Sequence, residues 1–299
     1  MRRAWILLLS LIYFALRWSA RAMMRSLGEP TRGRCRVLYY HGVPSHRIRR
    51  FGRQMACLSK RTRTLRSDFR GPLASGCHHT VLTFDDGYQS VVDNALPILE
   101  KMKIPCTLFI PPVYLGKKPG WHEKWEPIYQ ENELMTRETL EKIASPAVMI
   151  GSHSDSHLLL ANLDRLSLVK DLKRSRETLE EMVGRPVKQL SFPYGVYNEK
   201  VLEAAREAGY DRVFSIEPLP AYESSDEFLT GRTEITLEEN PLEFFLKVQG
   251  CYWTDWHAHF LKTGARSFLN ESTAKIYALI ANTFKAKGGR AVEFFTNLW

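Results

Sequence analysis

Two carboxylates stand side by side in Thr83-Phe84-Asp85-Asp86-Gly87, which closes the apolar run Val81-Leu82-Thr83-Phe84. The run is short, β-branched and aromatic, so it reads as a buried strand that Gly87 ends. Adjacent carboxylates repel, and a cation beside them resolves the conflict. Downstream, Gly151-Ser152-His153-Ser154-Asp155-Ser156-His157 carries two histidines four residues apart, again after a strand-like run, Ala147-Val148-Met149-Ile150. On one helical turn that spacing puts both imidazoles on the same side. Neutral imidazole together with a carboxylate suits zinc and neighbouring divalent ions, with positions left open for water and substrate.

A third strand and turn follows at Leu190-Ser191-Phe192-Pro193-Tyr194-Gly195. With these three in order, the chain resembles the polysaccharide deacetylase family (NodB homology, carbohydrate esterase family 4). The family's TFDDG motif is complete at 83–87 and its H-S/T-x-x-H motif at 153–157. The third motif is present as Pro193-Tyr194-Gly195, with Ser191 standing where arginine is common. The resemblance implies Asp86, His153 and His157 as metal ligands and Asp85 as general base. It places Pro193 and Tyr194 against substrate, with the Tyr194 N–H facing the oxyanion. The implied activity is hydrolysis of N-acetyl groups on an amino-sugar polysaccharide or its membrane-bound precursor, with a divalent metal, zinc first.

The family's late Leu-x-His motif, its usual source of the general acid, has no strand-borne counterpart here. Tyr39-Tyr40-His41-Gly42, at the end of a strand, is similar instead to the subgroup of poly-N-acetylglucosamine deacetylases in which that motif comes first. His41 is then the expected acid. Arg232, from a late strand, is expected to reach across and replace the missing arginine. The alternatives are a deacylase or deformylase of a lipid-linked amino sugar, and a degenerate glycan-binding protein.

Positioning these groups falls to alternating elements. Strand-like runs recur at 36–41, 80–84, 105–110, 147–151, 188–192 and 212–216, with helix-like runs between them. Pro97 is expected to kink or restart the helix over 91–103. Leu166, Val169, Leu172, Leu179 and Met182 are expected to face inward from a helix over 163–183, and Asn198 to cap one ending before Gly209. This is an α/β pattern with a parallel sheet. The resemblance makes it a distorted, incomplete (β/α)7-type barrel with helical terminal additions. The expected organisation is a membrane-associating segment over 1–34, a catalytic domain over 35–239 and an aromatic-rich helical extension over 240–299. Trp121 and Trp125, in a polar loop over 117–135, are candidate sugar-stacking rings.

Charge is uneven. Residues 1–70 sum to +15 in a chain of net +9, which favours an anionic partner such as a membrane surface or a charged glycan. No nucleic-acid motif accompanies the charge. Ala4 to Leu16 is apolar but short of the ~20 residues of a bilayer span. Arg17, Arg21 and Arg25 oppose translocation, so an uncleaved membrane-associated helix is expected. The cytoplasmic face is favoured, with a secreted or periplasmic location as the alternative. Five widely spaced cysteines form no disulfide framework or zinc ribbon.

Overall fold

The computed structural model describes residues 2–28, 31–119, 121 and 133–252. One parallel sheet contains β1 (Arg34–Tyr40), β2 (Arg63–Leu65), β3 (His78–Phe84), β4 (Cys106–Ile110), β5 (Val148–Ser152), β6 (Gln189–Ser191), β7 (Arg212–Phe214), β8 (Leu229–Thr230) and β9 (Arg232–Glu234). Their order is β8-β7-β6-β5-β4-β3-β1-β9, with β2 attached to β3. That order closes on itself, because β8 and β9 are halves of one stretch. The first half pairs with β7 and the second with β1. β2 pairs with the N-terminal part of β3 and β4 with its C-terminal part, so β2 adds no stave. The result is the expected (β/α)7-type barrel. Its distortion is greatest between β5 and β6, joined by the single pair Ser152↔Leu190.

Gly231 separates the two halves of the closing stretch. A Cβ there would lie 2.2 Å from the Glu217 carbonyl oxygen and 2.6 Å from Leu219 Cβ. Only a bare backbone lets the segment pass between its two neighbours.

The barrel is covered by α2 (Ile48–Arg61), α3 (Leu96–Met102), α4 (Arg137–Ile143), α5 (Arg165–Val183), α6 (Glu199–Glu207) and α7 (Pro241–Val248), and α1 (Arg2–Ser26) packs against α7. Pro97 sits in the first turn of α3, after a π-helical turn over Val91–Ala95, so the chain restarts its helix there. The Asn198 side chain accepts from Val201 N at 3.1 Å and caps α6. In α5 the inward stripe is Leu168, Leu172, Ser175 and Leu179. Leu166, expected inside, is 80% exposed. Asp164 caps this helix through Ser167 N, and Leu166, two residues before Leu168, lies about 200° around the helix from that member of the inward stripe. Phe244 and Val248 of α7 join the main core with Leu38, Met55, Phe84 and Leu108. Buried along nearly their whole length, β1, β3 and β4 behave as parallel strands covered on both faces.

Gly231→Ala is expected to lower stability by about 2 kcal/mol or more, since the new methyl meets backbone rather than a side chain able to turn away. Urea denaturation measures this.

Candidate active site

The first motif ends β3 in a tight turn. Asp86 and Gly87 both have left-handed backbones, with φ of 70° and 80°. A Cβ at Gly87 would also lie 2.7 Å from Ile110 Cδ1. This turn sends the two neighbouring carboxylates to different partners, which removes their conflict.

Asp85 is buried and receives a two-pronged bond from Arg232, with Nη1 to Oδ1 at 2.7 Å and Nη2 to Oδ2 at 2.8 Å. Arg232 comes from β9, across β1 from β3. Its other donors reach the Ser215 carbonyl at 3.2 Å, Thr83 Oγ1 at 3.2 Å and Ser191 Oγ at 2.7 Å. The guanidinium lies over the Tyr39 ring at 4.5 Å and the Phe109 ring at 5.4 Å. Burial by itself pushes the Asp85 carboxyl up. The Arg232 charge, then His153 and His41, outweigh burial and hold the carboxyl below its ordinary value. The structure therefore brings Arg232 to the place expected from the missing arginine, and Ser191 supplies a hydroxyl acceptor for it.

Asp86 faces the histidines. Its Oδ1 lies 3.5 Å from His153 Nε2 and 3.3 Å from His157 Nε2, and all three side chains are buried. One ligand atom from each lies within 4.8 Å of the others. The two histidines do not share a helical turn, contrary to the spacing argument. His153 follows β5, and the loop after it turns through left-handed Ser154 (φ 60°) and His157 (φ 52°). Ser154 Oγ accepts from His157 N at 2.9 Å, and Asp171 of α5 accepts from Asp155 N at 3.0 Å and Ser156 Oγ at 2.7 Å. Asp171 is a positioning residue missing from the sequence reading, where it looks like any carboxylate on a polar helix face.

Second contacts orient the rings. His153 Nδ1 lies 2.9 Å from the Ser191 carbonyl, which makes Nδ1 the donor and turns the Nε2 lone pair toward Asp86. His157 Nδ1 is buried without a hydrogen-bond partner. Burial favours neutral His153, but the charges of Asp85 and Asp86 prevail and raise it. For His157, burial prevails and lowers it.

His41 stands just beyond β1, beside the first motif: Asp85 N donates to the Tyr40 carbonyl at 2.9 Å. Its ring meets Tyr39 edge-on at 5.8 Å. Pro193 is buried in the turn after β6, and Tyr194, with φ of 59°, puts its ring 4.9 Å from His157. Trp121 stacks on His157 at 3.9 Å and meets Tyr114 edge-on at 4.6 Å, so one indole face forms the wall of the histidine cluster. Trp125 lies outside the described residues.

The sequence model of the family described as "Polysaccharide deacetylase" matches residues 74–213, which hold all three motifs. Those residues belong to the polysaccharide deacetylase family. Among similar proteins, the poly-β-1,6-N-acetyl-D-glucosamine N-deacetylase of Staphylococcus aureus (strain MRSA252) is 26% identical over 184 residues, covering 59% of each chain. YxkH of Bacillus subtilis is 27% identical over 156 residues, covering 52% of this chain and 51% of its own. The chain thus spans between half and three-fifths of these curated relatives. Among solved structures, IcaB from Ammonifex degensii superposes with a TM-score of 0.62 at 24% identity, over 74% of this chain and all of that one. The Streptococcus pyogenes deacetylase PplD gives 0.60 at 16% identity, over 73% and 99%. The barrel is the fold of these polysaccharide deacetylase structures.

Arg232→Gln leaves a buried carboxylate unpaired and is expected to cost about 3–5 kcal/mol. Asp85 has a depressed folded pKa. Its stabilising contribution is therefore complete above the ordinary carboxylate value, about pH 4, and is lost as pH falls through the lower folded value. The stability gap between the wild type and Asp85→Asn is expected to narrow in that acid window. Denaturation of the metal-free protein at a series of pH values measures both effects.

Proposed function

We propose that this protein removes N-acetyl groups from an amino-sugar polysaccharide with the help of a divalent metal, zinc first. One observation carries the reading: a buried Asp-His-His cluster stands beside a second carboxylate held ionised by a buried arginine. The donor set fits a divalent transition ion, because the His153 Nδ1 contact leaves Nε2 as its ligand atom. Such an ion, held by Asp86, His153 and His157, would lower the pKa of a bound water toward roughly 7 and polarise the amide carbonyl.

The chain's own groups supply the rest. Asp85, ionised at neutral pH, accepts a proton from the attacking water as it adds to the amide carbon. Arg232 fixes that carboxylate in place. The Tyr194 N–H donates to the developing oxyanion. His41 gives a proton to the departing sugar nitrogen as the C–N bond breaks, leaving acetate and a free amine. Pro193, Trp121 and Trp125 line the glycan side in this reading.

The named activity of the staphylococcal relative supports a polymer of N-acetylglucosamine as the substrate class. Residues 1–34 tether the protein to an anionic membrane surface, supported by an N-terminal helix over Arg3–Ser26 that is long and apolar enough to cross a bilayer. The arginines after its apolar run favour the cytoplasmic face over the outer one. That tether also favours a second reading, removal of an acyl or formyl group from a lipid-linked amino sugar. The intact pair of carboxylates and both histidines weigh against a glycan-binding protein without turnover.

Acetate release from N-acetylglucosamine oligomers by the zinc-loaded protein tests the proposal. Asp85→Asn and His41→Ala are each expected to lower the rate by about 100- to 10,000-fold, and chelation to abolish it. Bound metal with no acetate release would point to the lipid-linked sugar. Neither metal nor release, with glycan still bound, would point to a binding protein.

A further inference from the structure

The N-terminal helix is oriented against the usual rule. Its side toward the barrel, spaced three and four residues apart, includes Arg3, Ser10, Phe14 and Arg17. Arg3 pairs with Glu243, Phe14 meets Phe245 edge-on at 5.2 Å, and Arg17 donates to the Gly250 carbonyl at 3.2 Å. Ser10 is fully buried. The opposite face carries no charged residue from Ala4 to Ala20. It holds Trp5 (57% exposed), Leu8 (46%), Ile12 (42%) and Leu16 (38%). A helix at a water-facing surface turns its apolar stripe inward and its charges outward; α1 turns Arg3 and Arg17 to the protein and presents the apolar side to the surroundings.

The adjoining helix supplies the complementary charge. α2 contains Arg49, Arg50, Arg53, Lys60 and Arg61 and no carboxylate, and these five are exposed. Arg61 lies over the Phe245 ring at 4.8 Å, on the residue that also packs against Phe14. A cavity of about 610 Å³ opens between α1 and α2, with Ala4 and Leu7 on one side, Arg50 and Arg53 on the other, and Glu238 and Glu239 also in its wall, Glu238 paired with Arg50. An apolar stripe bordered by a carboxylate-free basic helix matches the two layers of an anionic bilayer surface, acyl boundary and phosphate.

We propose that α1 and α2 form a bilayer-binding flank on which α1 lies in the membrane plane rather than across it. The inference rests on the tethering reading above and adds its geometry. Contacts from Arg3 to Arg17 hold α1 alongside the domain, so a spanning helix would have to give up all of them. The same contacts set the orientation. Arg3 meets the start of α7, just after the catalytic end of β9, and Arg17 meets the residues after the end of α7, which runs back along the barrel. α1 therefore runs alongside α7, in the same direction, and is held there at both ends.

Vesicle flotation of the full chain tests this, with phosphatidylcholine vesicles and vesicles containing phosphatidylglycerol. Binding is expected to favour the anionic vesicles and to weaken as NaCl is raised to about 0.5 M. Leu8→Gln with Ile12→Gln and Leu16→Gln is expected to abolish it. Arg49→Gln with Arg53→Gln should weaken it by about 30-fold, the loss of two charges at a membrane surface. All five positions are exposed, and circular dichroism checks the fold of each variant. No binding to any vesicle would remove both the tether and this flank. Binding that resists salt and the arginine substitutions would leave the tether as a spanning helix and overturn the in-plane flank. A concentration-dependent dimer without vesicle binding would assign the apolar face to a second copy and overturn it as well.

Discussion

A carboxylate taken out of water needs a cation of matching geometry, and the arrangement of this barrel follows from how Asp85 obtains one. Arg232 gives it two parallel hydrogen bonds and spends its remaining donors on Ser215, Thr83 and Ser191, so no part of the guanidinium is left without a partner. Tyr39 and Phe109 cover it with aromatic rings. Desolvation often outweighs the Coulomb attraction of a buried pair; here the extra hydrogen bonds and ring contacts offset it. Ser191 is part of the solution, because a small hydroxyl leaves room for an arginine arriving from the other side and accepts one of its bonds.

The second half of the cluster is built by a loop, and loops need fastening. Ser154 and His157 hold left-handed backbones that cost non-glycine residues of order 1–3 kcal/mol each. Asp171 on α5, the internal Ser154 contact and the stacked Trp121 hold the loop in that conformation. Precision at Asp86, His153 and His157 thus depends on groups that touch none of the reacting atoms. The Ser191 residue serves both halves: its hydroxyl meets Arg232 and its carbonyl meets His153.

Much of this was legible in the chain because the chemistry is local. Asp85, Asp86 and Gly87 lie within one turn, and the apolar run before them announced both the strand and its tip. Arg232 was legible for a different reason: Ser191 stands where an arginine is common, and that empty position called for a substitute from elsewhere in the chain. The helical placement of His153 and His157 failed because spacing alone does not distinguish a helical turn from a loop closed by serine and aspartate contacts. Leu166 was misplaced because the expected stripe, right at Leu172 and Leu179, was extended to a leucine well off their face, where Leu168 continues it. β2, β8 and β9, of two or three residues each, are too short to show a period of two.

Barrel closure also sets when the chain acquires its chemistry. Asp85 and its cation are separated by 147 positions in sequence, and the second of them lies on the last stave to be synthesised. Without the stretch after Gly231, the Asp85 site lacks Arg232, the largest of the influences that hold its carboxyl low against burial. The strand pairing that completes the sheet, β9 with β1, is thus the same one that delivers Arg232 to the Asp85 carboxylate.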